Sequence, residues 1–190
     1  MTVTPEVAIS LLWFAWFVSW MIAAAWAKPT VRKLTNTEEW RHLLITVVGF
    51  VLLLWGRRWL HIWNTPVEAG WALFSVGVAG VAFCWWARIH LGVLWSGNIT
   101  RKADHRVVDT GPYRLVRHPI YTGLIAFALA TALDIGSALS VAGVVLITVG
   151  FWLKARMEEA FLRRELGAEA YDAYARRTPM LIPGLRLRSK

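Results

Sequence analysis

Two short runs hold most of the chemically useful side chains of this sequence. The first is Arg117-His118-Pro119, inside the segment HRVVDTGPYRLVRHPIYTG of residues 105–123. It sets a cation and an imidazole directly ahead of a proline, and proline is tolerated in the first turn of a helix. The amide groups of that turn have no helical acceptor, so that end favours anions. Arg117 and His118 add donors beside it, and an anionic ligand group fits there. The second run holds Lys154, Arg156, Glu158 and Glu159. Lys154 and Glu158 are spaced i, i+4 and share a helix face. Ionisable groups of both signs converging from two segments define a pocket. Each group also has a plainer use. Arg117 could bind lipid phosphate, His118 could be a helix-start donor, and Glu158-Glu159 could balance Arg163 and Arg164. Tyr113 and Tyr121 could be interfacial aromatics. It is the set, in this order and spacing, that points to chemistry.

The elements that must carry these groups are apolar. The chain has 190 residues, of which 57% are hydrophobic and 17% charged, against about 25% charged in a soluble domain. Mean hydropathy is +0.46. Yet there are 21 Lys and Arg against 12 Asp and Glu, a formal charge of +9. A basic chain suggests nucleic acid, but here long apolar blocks leave no continuous basic face, so nucleic acid is excluded as a partner. Thirteen tryptophans fit a protein in contact with membrane–water interfaces. The single cysteine, Cys84, excludes an internal disulfide and a Cys-rich metal site, and no metal is expected. The first residues, MTVTPEVAIS, have no basic n-region, so the first apolar block is expected to be retained.

Five apolar blocks stand out, at about residues 7–27, 43–55, 71–91, 120–133 and 137–153. The last two form one stretch too long for a single crossing, which needs about 20 residues. Asp134-Ile135-Gly136-Ser137 divides it into a helical hairpin. The basic residues set the orientation. Arg57 and Arg58 lie on one side and Arg88 at a span end; the other eighteen of the 21 fall on the opposite side. The expectation is an all-α integral membrane protein with about five transmembrane helices, the N-terminus outside and a helical C-terminal tail in the cytoplasm; four spans, or a partly re-entrant fourth segment, are the alternatives. Residues 1–90 supply the first three helices. Residues 91–190 supply a connector, the hairpin and an amphipathic helix around Phe161, Leu162, Leu166, Ala170, Tyr171 and Tyr174, with Gly167 as a break.

The run G-P-Y-R-x-x-R-H-P-x-Y-x-G, then Glu158-Glu159, then Tyr171, Tyr174, Arg177-Thr178-Pro179 and Ile182-Pro183-Gly184 resembles the isoprenylcysteine carboxyl methyltransferase family, to which phospholipid N-methyltransferases are related. The resemblance covers roughly residues 90–185. It implies a membrane-embedded methyltransferase that binds S-adenosyl-L-methionine without a Rossmann domain and releases S-adenosyl-L-homocysteine. It implies cofactor contacts from Asn98, His105, Arg106, Val107, Val108, Tyr113, His118, Pro119, Ile120, Tyr121 and Glu158. Asn98 stands where the family often has glutamine. The family holds the acceptor carboxylate with an arginine near the start of the glutamate-bearing helix; the matching position here is Lys154, with Arg156 two residues on. Arg117, Lys154, Arg156 and Glu159 are thus the expected catalytic group. The acceptor is expected to be lipid-like or prenylated, a small molecule or peptide reached from the membrane lipids. The membrane is the inner one in a bacterium and the endoplasmic reticulum in a eukaryote, with the site facing the cytoplasm. Two other enzymes share parts of the motif: an amine or phospholipid N-methyltransferase, and an NADPH-dependent sterol-reductase-like oxidoreductase. Sterol reductases commonly carry an acidic residue where this chain has Leu124.

Overall fold

A computed structural model of the chain describes residues 3–26, 30–33, 36–56, 59–95, 100–102 and 107–185. Its helices are α1 (Pro5–Ala23), α2 (Asn36–Trp55), α3 (Val67–Leu91), α4 (Pro119–Ile135), α5 (Ala138–Leu166) and α6 (Ala168–Arg177). Among the described residues, three helical stretches are long and apolar enough to cross a membrane, Pro5–Ala23, Val67–Leu94 and Ala138–Glu165; two shorter apolar ones are Trp40–Trp55 and Pro119–Ile135. This is a membrane protein, and each of the five apolar blocks read from sequence has its main part on a separate helix.

The fold is all-helical, as expected, apart from one short addition. A short antiparallel ladder pairs β1 (Thr30–Lys33) with β2 (Thr100–Lys102), with Thr30 opposite Lys102 and Lys33 opposite Thr100. It ties the connector after α1 to the connector after α3. Strands of three and four residues rich in Lys and Arg carry no period-2 apolar signal, so sequence pattern alone does not show them.

The bundle is built from two close helix pairs, α2 on α5 and α3 on α4, joined where α4 meets α5. In the second pair Gly80 and Gly123 face each other: a Cβ on Gly123 would lie 2.5 Å from the Gly80 carbonyl oxygen. That approach brings the start of α4 against α3. The hairpin between α4 and α5 turns at Gly136, whose φ of 69° is left-handed, a conformation glycine takes without a Cβ penalty. Ser137 then caps α5, its Oγ accepting from the Leu139 N–H at 3.2 Å. α5 is longer than its apolar block. It continues without interruption from the hairpin to Leu166, so the glutamates stand on the same rigid helix as the span. The amphipathic tail is not one helix: Gly167, with φ of 97°, separates the end of α5 from α6.

Not all the tryptophans are interfacial. Trp13, Trp16 and Trp20 share one face of α1, turned into the bundle against its core. Trp13 stacks on Phe127 of α4 at 3.9 Å and donates its indole N–H to Thr131 Oγ1 at 3.0 Å. Arg88 is likewise drawn inside. It is fully buried, donating to the carbonyls of Ala23 at 2.6 Å and Gly92 at 2.7 Å, with its guanidinium 4.4 Å from the Trp95 ring centre. Burying a guanidinium is tolerable only with such partners, and these fasten the ends of α1 and α3 together.

Candidate active site

Pro119 starts α4 and is fully buried, which leaves His118 as the last residue before the helix. At the same end of the bundle α5 presents Glu158 and Glu159. The imidazole sits between the two carboxylates: Nδ1 lies 3.4 Å from Glu158 Oε2 and Nε2 lies 3.1 Å from Glu159 Oε1. Burial by itself would push the His118 imidazole down. The hydrogen bonds and charges of Glu158 and Glu159 outweigh it, so its pKa stands above the ordinary value.

Each glutamate has a second partner. Tyr121 donates its hydroxyl to Glu158 Oε1 at 2.7 Å. Its ring lies parallel to His118 at 5.4 Å and to Phe151 of α5 at 4.9 Å. Glu159 receives a two-point bond from Arg117, Nε to Oε1 at 2.7 Å and NH2 to Oε2 at 3.1 Å. The remaining Arg117 nitrogen, NH1, donates to the carbonyls of Ala175, at 3.0 Å, and Thr178. Every nitrogen of Arg117 is thus engaged inside the protein. Lys154 reaches the same cluster, its Nζ 5.5 Å from the Tyr121 ring centre.

The structure therefore brings together Arg117, His118, Tyr121, Lys154, Glu158 and Glu159. Arg156 is not among them. It is exposed, and its guanidinium lies 5.7 Å from the ring of Trp152, because two residues along a helix turn the side chain to the far face. Tyr113 is buried on the flank, where its main-chain carbonyl accepts from the Tyr174 hydroxyl at 2.7 Å; burial pushes its phenol up. Ile120 is half-buried, and its carbonyl accepts from Cys84 Sγ at 3.3 Å. Val107 and Val108 are half-buried just ahead of the turn Gly111–Arg114. Asn98, His105 and Arg106 lie outside the described residues.

Sequence reasoning missed how much of this corner is main chain. Residues 178–181 run beside the first turn of α4. The Arg117 and His118 N–H groups donate to Pro179 O at 2.9 Å and Met180 O at 3.1 Å, and Thr122 Oγ1 donates to Leu181 O at 2.6 Å. The only local signal was Thr178-Pro179, which cannot continue a helix.

The fold and this cluster define a helical membrane protein with a buried ionic site where two helices of a hairpin meet at one end of the bundle. The model of the isoprenylcysteine carboxyl methyltransferase family matches residues 72–164, the segment that contains it, and over that segment the chain is similar to this family. It is 29% identical over 155 residues to a nickel-cobalt-cadmium resistance protein of Alcaligenes xylosoxydans xylosoxydans, covering 78% of this chain and 64% of the relative. It is 32% identical over 110 residues to a probable protein-S-isoprenylcysteine O-methyltransferase of Oryza sativa subsp. indica, covering 57% and 52%. It is 30% identical over 164 residues to methanethiol S-methyltransferase 2 of Bradyrhizobium diazoefficiens, covering 78% and 61%. The chain spans less than two thirds of the length of these relatives.

Proposed function

We propose that the chain is an S-adenosyl-L-methionine-dependent methyltransferase with five membrane spans, the N-terminus outside, and a site open to the cytoplasm and to the inner face of the bilayer. The acceptor is a lipophilic carboxylate of the isoprenylcysteine kind. One observation carries this reading: Glu158, still 18% exposed, is an anionic wall held by His118 and Tyr121 at the mouth of the hairpin. A carboxylate in that setting fits the positively charged methionine portion of the cofactor, which when bound supplies a methyl group already activated by its sulfonium. The parallel, stacked rings of His118, Tyr121 and Phe151 put an aromatic wall beside Glu158 that fits a flat or apolar part of a ligand.

The protein has then only to position and shield, and orientation alone supplies up to about 7–11 kcal/mol of barrier lowering. Lys154 is the cation we assign to the acceptor carboxylate. Arg117, the other candidate from sequence, is committed to Glu159 and to two carbonyls. We assign it to holding the site together. Arg156, on the far face, is assigned to the lipid interface.

Glu159 bears on the choice between carboxylate and amine. An amine acceptor must lose a proton, and Glu159 is the nearest candidate base. Its two oxygens are already taken by Arg117 and His118, which disfavours that role. A carboxylate is already ionised and needs no base. A small thiol, the substrate in the name of the Bradyrhizobium relative, is the second reading to be tested beside it.

The experiment is calorimetric titration of the folded, monodisperse protein with S-adenosylhomocysteine, then labelled methyl transfer to prenylcysteines, phosphatidylethanolamine, small amines and small thiols. Binding, with base-labile label on the prenylcysteine, is expected. Absence of binding removes the methyltransferase reading. Base-stable label on amine or thiol alone removes the carboxylate.

A further inference from the structure

The chain after α6 does not leave the bundle. Residues 178–181 are bonded along the first turn of α4, ending with Leu181 O on Thr122. Thr122 lies about 4.5 Å along the helix from its first residue, at 1.5 Å per residue. It begins a stripe at helical spacing, Thr122, Ala126, Leu129 and Leu133. Leu129 and Leu133 are 46% and 37% exposed on a helix whose other residues are buried or half-buried. That stripe is the side α4 turns outward, and residues 178–181 cover its end nearest the site.

The next four residues form a turn. The Leu185 N–H donates to Ile182 O at 3.1 Å. Gly184 has φ of 80° after Pro183, the residue order a type II turn takes. The turn holds Ile182 and Leu185 outward, 57% and 48% exposed, and Leu115 adds a third at 46%. Arg114 precedes Leu115 in the chain, and Arg176 and Arg177 precede the strap; all three are exposed, with Arg177 paired to Asp109 at 3.3 Å. Exposed apolar tips on a segment bonded to the start of an outward apolar stripe, with exposed arginines close by in the chain, fit the boundary between acyl chains and anionic headgroups.

We propose that residues 178–185 are a membrane-seated strap: Ile182 and Leu185 enter the acyl region of an anionic bilayer, and that seating holds Arg117 and His118 in place. The site thus depends on the lipid surface as a partner. The proposal rests on the reading of α4 as a membrane span.

The test uses the full chain with Cys84→Ala in nanodiscs containing phosphatidylglycerol, with a polarity-sensitive fluorophore on Leu185→Cys or, as a control, on Leu129→Cys. Blue-shifted emission from both, quenched by spin-labelled lipid and not by aqueous iodide, is expected. Lipid-quenched emission at 129 with iodide-quenched emission at 185 overturns the strap and leaves the span intact. Iodide quenching at both overturns the strap together with the span. Coupling is read with Leu185→Ser, which keeps the turn residues, and with Ile182→Asp combined with Leu185→Asp. Roughly tenfold faster tryptic cleavage after Arg176 or Arg177 is expected for the double variant, with a smaller increase for Leu185→Ser. Cleavage of both at the parent rate overturns the coupling.

Discussion

Arg117 and Glu159, 42 residues apart in sequence, meet in a two-point ion pair, Nε to Oε1 at 2.7 Å and NH2 to Oε2 at 3.1 Å. The pair sits where three segments join. Arg117 precedes α4, Glu159 belongs to α5, and the same guanidinium holds the carbonyls of Ala175 and Thr178 at the end of α6. One side chain closes the hairpin and pins the C-terminal segment to it.

Removing that side chain should be costly. The pair is mostly buried, with side-chain exposures of 11% and 15%. Arg117→Ala leaves the Glu159 carboxylate and two carbonyls short of a donor, and breaking a buried pair in this way costs about 3–5 kcal/mol. Arg117→Lys keeps the charge and loses the fork, so an intermediate loss is expected. Denaturant unfolding in mild detergent measures both. In a double-mutant cycle with Glu159→Ala the two losses should fall short of additive by at least about 0.5 kcal/mol.

His118 makes stability depend on pH. Its folded-state pKa is raised by the neighbouring Glu158 and Glu159 carboxylates against the lowering effect of burial. A raised imidazole pKa contributes stability that is complete below the unfolded value of about 6.5. That contribution is lost as pH rises through the folded value. The melting temperature of the wild type should therefore fall from mildly acidic toward alkaline pH. His118→Gln keeps a donor and cannot titrate, so it should flatten this slope. An unchanged slope in the variant would assign the pH dependence to another group.

The hairpin and the cluster were legible because their signals are local. Asp134-Ile135-Gly136-Ser137 breaks an apolar run, Pro119 opens a helix, and Lys154 and Glu158 share a face; a hairpin then makes Arg117, His118 and the glutamates neighbours. What was not legible is contact without a local signature. The Arg117–Glu159 fork depends on the rotation of α5 about its own axis. The strap on α4 is made by backbone groups that any residues supply. The contacts of Trp13 and Arg88 belong to the same class. Residue type and position do not show which way either side chain faces, and only the packing of α1 on α3 and α4 turns Trp13 onto Phe127 and Arg88 onto the Ala23 carbonyl.

The far end of the bundle offers a separation of stability from binding. Gly136 has φ of 69°, and a Cβ there would run into the Trp63 carbonyl. Gly136→Ala should cost at least about 1–2 kcal/mol from the left-handed backbone alone, visible as a lower melting temperature. Because the hairpin turn is at the opposite end of α4 from His118, affinity for S-adenosylhomocysteine in the folded fraction should not change. A loss of affinity matching the loss of stability would mean that the site and the turn unfold as one unit.

The assignment of Lys154 to the acceptor makes the sign of the acceptor's charge testable. Its ammonium lies 5.5 Å from the Tyr121 ring centre, beside the tyrosine that donates to Glu158. If the acceptor is a carboxylate, Lys154→Met removes its counter-charge. A hydrogen bond to a charged group contributes about 1.5–3 kcal/mol, so KM for the acceptor should rise roughly 10- to 150-fold, while KM for the methyl donor changes little. Lys154→Arg supplies a guanidinium fork, which suits a carboxylate better than a point charge does, and acceptor KM should fall if the fork reaches it. A protonated amine acceptor would be repelled by Lys154, so the same Lys154→Met change would lower its KM. Steady-state kinetics with a prenylcysteine and with phosphatidylethanolamine give opposite signs for the two acceptors. A fall in KM for the amine, with no rise for the carboxylate, would withdraw the assignment of Lys154 to a carboxylate.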